Sequence, residues 1–301
     1  MRTSFLVLFF LCFYNGYVSA QSLWPDTSKH EGLNLISEEK NISVFTSEKA
    51  QADENTLNLL KDAKRYFDQV FEMDFPIAIL FVSNAEWNDY AYFPPPGMPQ
   101  AWAGNIFLGS DKSVVALEAE QQLKNLPAEQ LKKLQQYFGN PIDMDLFYRN
   151  NVAVHELGHC YHHYEATKPQ RRWIMEVYAT YAARAYLINH QPELAAATAT
   201  YAEIGSQAHF PFIKHTSLEK FEELYLPGLG PQNYEWFQFQ FFKKAVQLQE
   251  KFGEEGLKKL REFIASTDLS KINLMDEQAL QIALRQSLGT PMSELLLEWM
   301  H

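Results

Sequence analysis

The chain of 301 residues is 47% apolar and 14% aromatic, which is enough to bury one large core or two smaller ones and excludes a mostly disordered protein. Its formal net charge is −11 at pH 7, from 37 acidic and 26 basic side chains that are dispersed rather than clustered. This acidic balance argues against nucleic acid or an anionic membrane as partner, and it leaves the type of reaction open.

The first twenty residues have the layout of a signal peptide. Arg2 precedes the apolar run FLVLFFLCF, and the small residues Ser19 and Ala20 close the segment, so we expect cleavage after Ala20. The apolar run is too short to span a bilayer comfortably, so no membrane span is expected in the mature protein. We therefore expect a secreted or periplasmic protein. Its mature form, beginning near Gln21, retains one cysteine, Cys160, and so forms no internal disulfide.

Three strands and one helix are predicted in the N-terminal third, after an irregular lead-in over residues 21–40. The most apolar stretch, PIAILFVS, is short and rich in branched residues, as is typical of a buried strand. FPPPGMPQ forms a loop, because its prolines cannot enter a regular element. The predicted segments are a strand at 42–47, a helix at 53–71, a strand at 76–83, the loop at 93–100 and a strand at 101–109.

From Lys112 onward the apolar pattern is helical almost to the end, with breaks at prolines and glycines. A small α/β portion is thus followed by a long helical portion. This order predicts an α+β fold with a small N-terminal sheet and a mostly helical C-terminal part.

The segment VAVHELGHCYHHYE, residues 152–165, carries four histidines and two glutamates. Within HELGH, His155 and His159 are four residues apart, so a helix places both imidazoles on one face, where they can bind one metal ion. Glu156 comes near that ion without being forced to ligate it. This position suits a general base that takes a proton from metal-activated water.

A solvated helix face is the alternative explanation for these histidines. We accept it for His162 and His163. We reject it for His155 and His159, because NVAVHELGHCY places them in an apolar stretch where buried imidazoles beside a carboxylate need partners.

A zinc hydrolase needs a third protein ligand and an open fourth position. His163 is in line with the first two histidines along one helix, so it cannot complete a tetrahedral site. Glu165 would require a glycine turn, and His162 stands at that position instead. Pro169 separates Glu176, in RRWIMEVYATYAARAYL, from the first helix, so a second helix can return and aim Glu176 at the ion. We favour Glu176 and keep Glu165 as the alternative.

VAVHELGH followed by WIMEVYATYAA resembles the gluzincin zinc metallopeptidases, in particular their aminopeptidase-N-like branch. The resemblance covers roughly residues 75–265 and is strongest at these two segments. It implies a thermolysin-like catalytic lobe in which His155, His159 and Glu176 hold Zn²⁺ and Glu156 is the general base. The spacing between His159 and Glu176 is slightly shorter than that branch usually has, a difference in the connecting loop.

Two further segments extend the resemblance. QNYEWFQFQFFKKAVQLQEKFGEEGLKKLREFI is similar to the helix pair that carries a tyrosine in such enzymes, which implies that Tyr234 stabilises the oxyanion; packing on its aromatic neighbours is the alternative. PGMPQAWAGNIFLG is similar to the family's substrate-binding edge strand. It has no carboxylate between Gly97 and Gln100, where that branch holds the free amine of its substrates. We therefore expect an endopeptidase rather than an aminopeptidase.

These observations predict a zinc-dependent peptidase that acts on peptide or protein substrates. The alternative is a non-catalytic peptide- or protein-binding module that retains a peptidase fold, and hydrolysis of a non-peptide amide or ester stays open. The expected division of the chain is a signal peptide at 1–20, a catalytic α+β domain at 21–205 and a helical C-terminal subdomain at 206–301.

Overall fold

The structure is a computed structural model that describes residues 24–93, 95–164, 167–207, 213–226 and 228–298. The predicted signal peptide and the alternative ligand Glu165 lie outside the described residues. The division of the chain at residue 205 stays a prediction.

A mixed five-stranded sheet forms the N-terminal part, in the order β1-β2-β3-β5-β4. The two central pairings, β2 with β3 and β3 with β5, are parallel, and the two outer pairings are antiparallel. The short strand β4 therefore lies at one edge. The strands are β1 (Asn34–Glu39), β2 (Ile42–Thr46), β3 (Ile77–Val82), β4 (Gln100–Trp102) and β5 (Asn105–Gly109).

The sheet contains one more strand at each edge than the sequence predicted. The stretch 21–40, expected to be an irregular lead-in, includes β1, whose side chains are almost all exposed and so lack the apolar alternation of a half-buried strand. The stretch 101–109, expected to be one strand, is a hairpin. Its two-residue turn, Ala103 and Gly104, has positive φ angles of 44° and 83°, as hairpin turns of this length require.

The predicted helix at 53–71 and the predicted strands at 42–47 and 76–83 are confirmed. Helix α1 (Glu54–Phe71) begins after Asp53, whose carboxylate accepts the backbone N–H groups of Asn55 and Thr56. One helix face is buried against the sheet and the later helices. Its predicted core positions are Leu57, Leu60, Ala63, Phe67 and Val70, all less than 9% exposed.

Helices follow the sheet, as the sequence predicted. A π-helical segment, Phe147–Val152, leads directly into α5, and α9 contains a break at Gly253, where φ is 54°. The helices after α1 are α2 (Trp87–Tyr90), α3 (Val114–Leu123), α4 (Ala128–Phe138), α5 (Ala153–His163), α6 (Arg172–His190), α7 (Pro192–Gln207), α8 (Leu218–Leu224), α9 (Pro231–Ser266), α10 (Glu277–Leu288) and α11 (Thr290–Leu297). In the described ranges, none of them has the length and apolar character needed to cross a membrane.

The largest hydrophobic core lies between one face of the sheet and helices α1, α5, α6 and α9. Helices α5 and α6 approach each other closely at Gly158. A Cβ atom placed on Gly158 would lie 3.3 Å from the Cα and the carbonyl oxygen of Ala179. This close crossing brings the histidine-rich helix against the helix that carries Glu176.

Candidate metal centre

His155 and His159 lie one turn apart on the face of α5 that meets α6. Their Nε2 atoms are 2.9 Å apart, and Oε2 of Glu176 lies 3.4 Å from the first and 3.9 Å from the second. His159 and Glu176 are buried, whereas His155 is partly exposed. The structure therefore brings together the three side chains that the sequence suggested as ligands, and His155 is the most exposed of them.

The tautomer of His155 is set by Thr180. The Thr180 hydroxyl donates to the backbone carbonyl of Glu176 at 2.8 Å, so its lone pairs are left to accept the Nδ1–H of His155 at 3.2 Å. Nε2 of His155 then faces the centre. Burial lowers the pKa of His155, but its hydrogen bond with Glu176 and the charge of Glu156 outweigh burial and raise the pKa above its ordinary value. Burial and the neighbouring His155 hold the pKa of His159 well below its ordinary value, so the His159 imidazole is neutral.

These atoms fit a bound cation. Lone pairs on two Nε2 atoms and a carboxylate oxygen within a few ångströms of one another repel unless a positive charge lies between them. Bonds of about 2.0–2.1 Å at tetrahedral angles hold two zinc ligands about 3.3 Å apart, which lies within the range of separations in this cluster. The buried His/Glu cluster could therefore hold a metal ion.

Glu156 lies beside this cluster, with its carboxylate within 4.8 Å of the ligand atoms of both histidines. It accepts the backbone N–H of Ala101, on the edge strand β4, at 2.7 Å. Burial, opposed by His155 and reinforced by the charge of Glu176, raises the pKa of Glu156 to about 7. A carboxylate with this pKa can both accept and return a proton near neutral pH.

Two residues that no motif in the sequence marked also hold the Glu176 carboxylate. The Tyr225 hydroxyl donates to Oε1 at 2.9 Å, and the Gln238 amide donates to Oε2 at 2.9 Å. Burial alone would raise the pKa of Glu176, but the hydrogen bond and charges of the histidines, with Gln238, lower it to about 2. Gln238 lies one helical turn beyond Tyr234 in α9, and this spacing could have identified Gln238 from the sequence. No local sequence pattern marks Tyr225.

Tyr234 lies next to Tyr225 and close enough to Glu176 and Glu156 for their charges to act on it. Burial and the charges of Glu176 and Glu156 raise the pKa of Tyr234 well above its ordinary value, so its hydroxyl keeps its proton. The ring also packs on Phe221 and Tyr225, with centroid distances of 6.5 and 6.3 Å. The position is thus compatible with the suggested donor role and with aromatic packing.

The prediction that His162 lies on a solvated face is wrong. Its side chain is only 2% exposed, because α6 covers it and the Tyr178 ring packs edge-on against it at 5.6 Å. Its Nε2 lies 2.8 Å from Nδ1 of His159. His163 is partly buried, and its Nδ1 lies 3.3 Å from the carbonyl oxygen of Thr167.

No protein-family model matches this chain, and no curated protein matches it in sequence.

Proposed function

We propose that this protein is a zinc-dependent peptidase of the gluzincin type that hydrolyses internal peptide bonds. The convergence of two histidine Nε2 atoms and the Glu176 carboxylate beside the Glu156 carboxylate is the observation that carries the proposal. Two histidines and one glutamate form a ligand set that suits zinc in hydrolases. The α+β architecture, with a short edge strand next to the metal helix, is compatible with a gluzincin fold.

When bound, zinc polarises the scissile carbonyl and lowers the pKa of water. The residues of the chain supply the remaining chemistry. Glu156 accepts the proton that the attacking water loses and returns it to the leaving amine. Tyr234 keeps its proton at neutral pH, so its hydroxyl can donate to the oxygen on which negative charge develops.

The edge strand supports an extended substrate. Strand β4 lies at the edge of the sheet and contacts the metal helix through the hydrogen bond from Ala101 to Glu156. A strand edge can pair with a peptide backbone without demanding a particular sequence, and here the Ala101 N–H would exchange Glu156 for the substrate. Gln100, which occupies the region where an aminopeptidase would carry its amine-binding carboxylate, is 6% exposed. Its side chain is engaged by the backbone of Tyr92 and Phe93 at 2.8–2.9 Å, so it is not available for a substrate amine.

The test is digestion of a diverse peptide library by the zinc-loaded protein, followed by mass spectrometry, with Glu156→Gln and chelator-treated protein as controls. We expect internal bonds to be cleaved by the wild type alone. Zinc-loaded protein that captures peptides and cleaves none would support the alternative of a non-catalytic binding module.

A second comparison separates the two peptidase classes. One cleaved peptide is presented with and without N-terminal acetylation, and we expect both forms to be cut at similar rates. Loss of all cleavage on acetylation would show an aminopeptidase, whose amine anchor is a carboxylate other than those described above.

A further inference from the structure

A buried contact joins His159, a predicted metal ligand, to His162, which takes no part in the proposed metal binding or catalysis. His162 lies one helical turn after His159, the two rings are nearly perpendicular at 85°, and Nδ1 of His159 is 2.8 Å from Nε2 of His162. At this distance one nitrogen donates and the other accepts. Since Nε2 of His159 faces the metal position, its Nδ1 carries the proton and is the donor.

His162 must therefore be a neutral imidazole that accepts at Nε2 and carries its own proton at Nδ1. Within the described part of the chain, this buried Nδ1 has no hydrogen-bond partner. Leaving a buried N–H unpaired costs free energy, so His162 is not explained by its own hydrogen-bonding needs. The requirement for an acceptor opposite His159 accounts for a histidine here.

We propose that His162 is a positioning residue that fixes the tautomer and ring orientation of His159 for metal binding. A metal-bound histidine usually donates the N–H of its second ring nitrogen to a carboxylate, a carbonyl or water. For His159, the acceptor is the imidazole of His162. Thr180 does the same for His155, so each histidine ligand has one dedicated acceptor. The inference rests on the proposed metal centre.

A second metal ion is the competing explanation, because the ligand atoms of His159, His162 and His163 also lie within 4.8 Å of one another. A neutral imidazole offers only one lone pair. His159 could serve both ions only as an imidazolate, which requires loss of both ring protons. The hydrogen bond needs no such loss, and it predicts one metal ion per chain.

The experiment compares zinc affinity, by competition with a chromophoric chelator, and the visible spectrum of the cobalt-substituted protein. His162→Leu removes the acceptor and fills the apolar site. His162→Gln keeps an acceptor at the same reach, and His163→Leu is the matched control on the neighbouring residue. We expect His162→Leu to weaken zinc binding about 10- to 100-fold and to change the cobalt spectrum in protein that still folds without metal. His162→Gln should recover most of the affinity, and His163→Leu should bind as the wild type does.

The outcomes separate this inference from the proposed function. Unchanged affinity in folded His162→Leu, or no recovery in folded His162→Gln, would overturn the positioning role while leaving the metal centre intact. Two zinc ions per chain, with one lost in His163→Leu, would establish the second-ion explanation instead. Wild-type protein that binds no zinc would overturn the proposed function itself.

Discussion

Glu176 is the single residue on which the proposed centre depends most. It is 1% exposed. Its Oε2 lies near two histidines and accepts from Gln238, and its Oε1 accepts from Tyr225. Every partner that reaches it is a donor or a cation site, so the environment is built for a negative charge. A buried carboxylate needs partners, and a metal ion between Glu176 and the histidines would supply a further one.

Glu176→Gln should therefore lower zinc affinity strongly, because a neutral amide is a poor zinc ligand and its NH₂ group would face existing donors. Glu156→Gln should retain zinc and lose turnover. Zinc content after dialysis, measured by elemental analysis, checks both expectations. Equal retention by the two variants would show that Glu176 is not the third ligand, and Glu165 would then be the next residue to replace.

Asp53 offers a prediction on stability that does not depend on the metal. Its carboxylate caps α1 and accepts from Arg149 at 3.1 Å. Burial raises its pKa, but the backbone N–H of Thr56 and the Arg149 guanidinium outweigh burial and lower the pKa below its ordinary value. Asp53→Ala should destabilise the fold by about 1 kcal/mol at neutral pH.

The sign of the pH dependence follows from the lowered pKa. Asp53 stabilises the fold at pH values above its pKa in the unfolded chain, which is about 4. This contribution is lost as the pH falls through its lower pKa in the folded protein. Urea denaturation at neutral pH and at about pH 3 should show the difference between wild type and Asp53→Ala shrinking in acid. Asp53→Asn, which retains a capping side chain, should fall between them, and a pH-independent difference would contradict the charge-based account.

At the scale of elements, the crossing of α5 and α6 determines whether Glu176 can reach the histidines. Gly158 leaves no room for a larger side chain, since an added Cβ would lie 3.3 Å from the Ala179 backbone and 3.4 Å from the Ala182 Cβ. The neighbours in this contact are largely backbone, which cannot rotate away. A side chain at this position must therefore separate the two helices.

Gly158→Val should weaken zinc binding more than Gly158→Ala does, because a larger side chain moves α6 further from α5. The matched control is Gly32→Ala, whose φ of 86° and new Cβ 2.9 Å from the Tyr90 hydroxyl disfavour a side chain outside the core that holds α5 and α6. We expect the control to lose thermal stability while keeping full zinc content. Gly158→Val with normal zinc affinity would show that the helix separation does not limit ligation.

Elements with a strong local pattern could be predicted from the sequence, and those defined by distant contacts could not. The apolar periodicity of α1 and the branched residues of β3 specify those elements locally. β1 exposes nearly all its side chains, and Ala103 gives no turn signal although it adopts a positive φ. The spacing of His155 and His159 indicated their shared face, whereas Tyr225 reaches Glu176 through a tertiary contact that no local pattern records.

At the scale of the whole molecule, the proposed centre lies within the largest core, between helices that pack on the sheet and on α9. Any ligand that binds the folded state alone adds to its stability. Metal-free protein would retain a buried carboxylate and two imidazoles facing one another. The centre should therefore contribute to the stability of the entire chain.

Chelator should lower the midpoint of thermal unfolding. Zinc at about 1,000 times its dissociation constant stabilises a fold by about 4 kcal/mol, which for a chain of this size corresponds to roughly 5–10 °C. Calorimetry or circular dichroism with and without chelator measures the shift. The double variant His155→Ala and His159→Ala should show no chelator dependence, and an equal shift in that variant would place the stabilising ion elsewhere.

The positions of the site residues along the chain have a consequence for folding kinetics. The three proposed ligands come from α5 and α6, which are consecutive, whereas Tyr225 and Gln238 come from later segments. Closing a short loop costs less conformational entropy than closing a long one, so the ligands can meet soon after these two helices form. The segments that carry Tyr225 and Gln238 must dock afterwards. Zinc present during refolding should therefore speed the association of α5 with α6 and leave the slower docking of α9 to set the final rate.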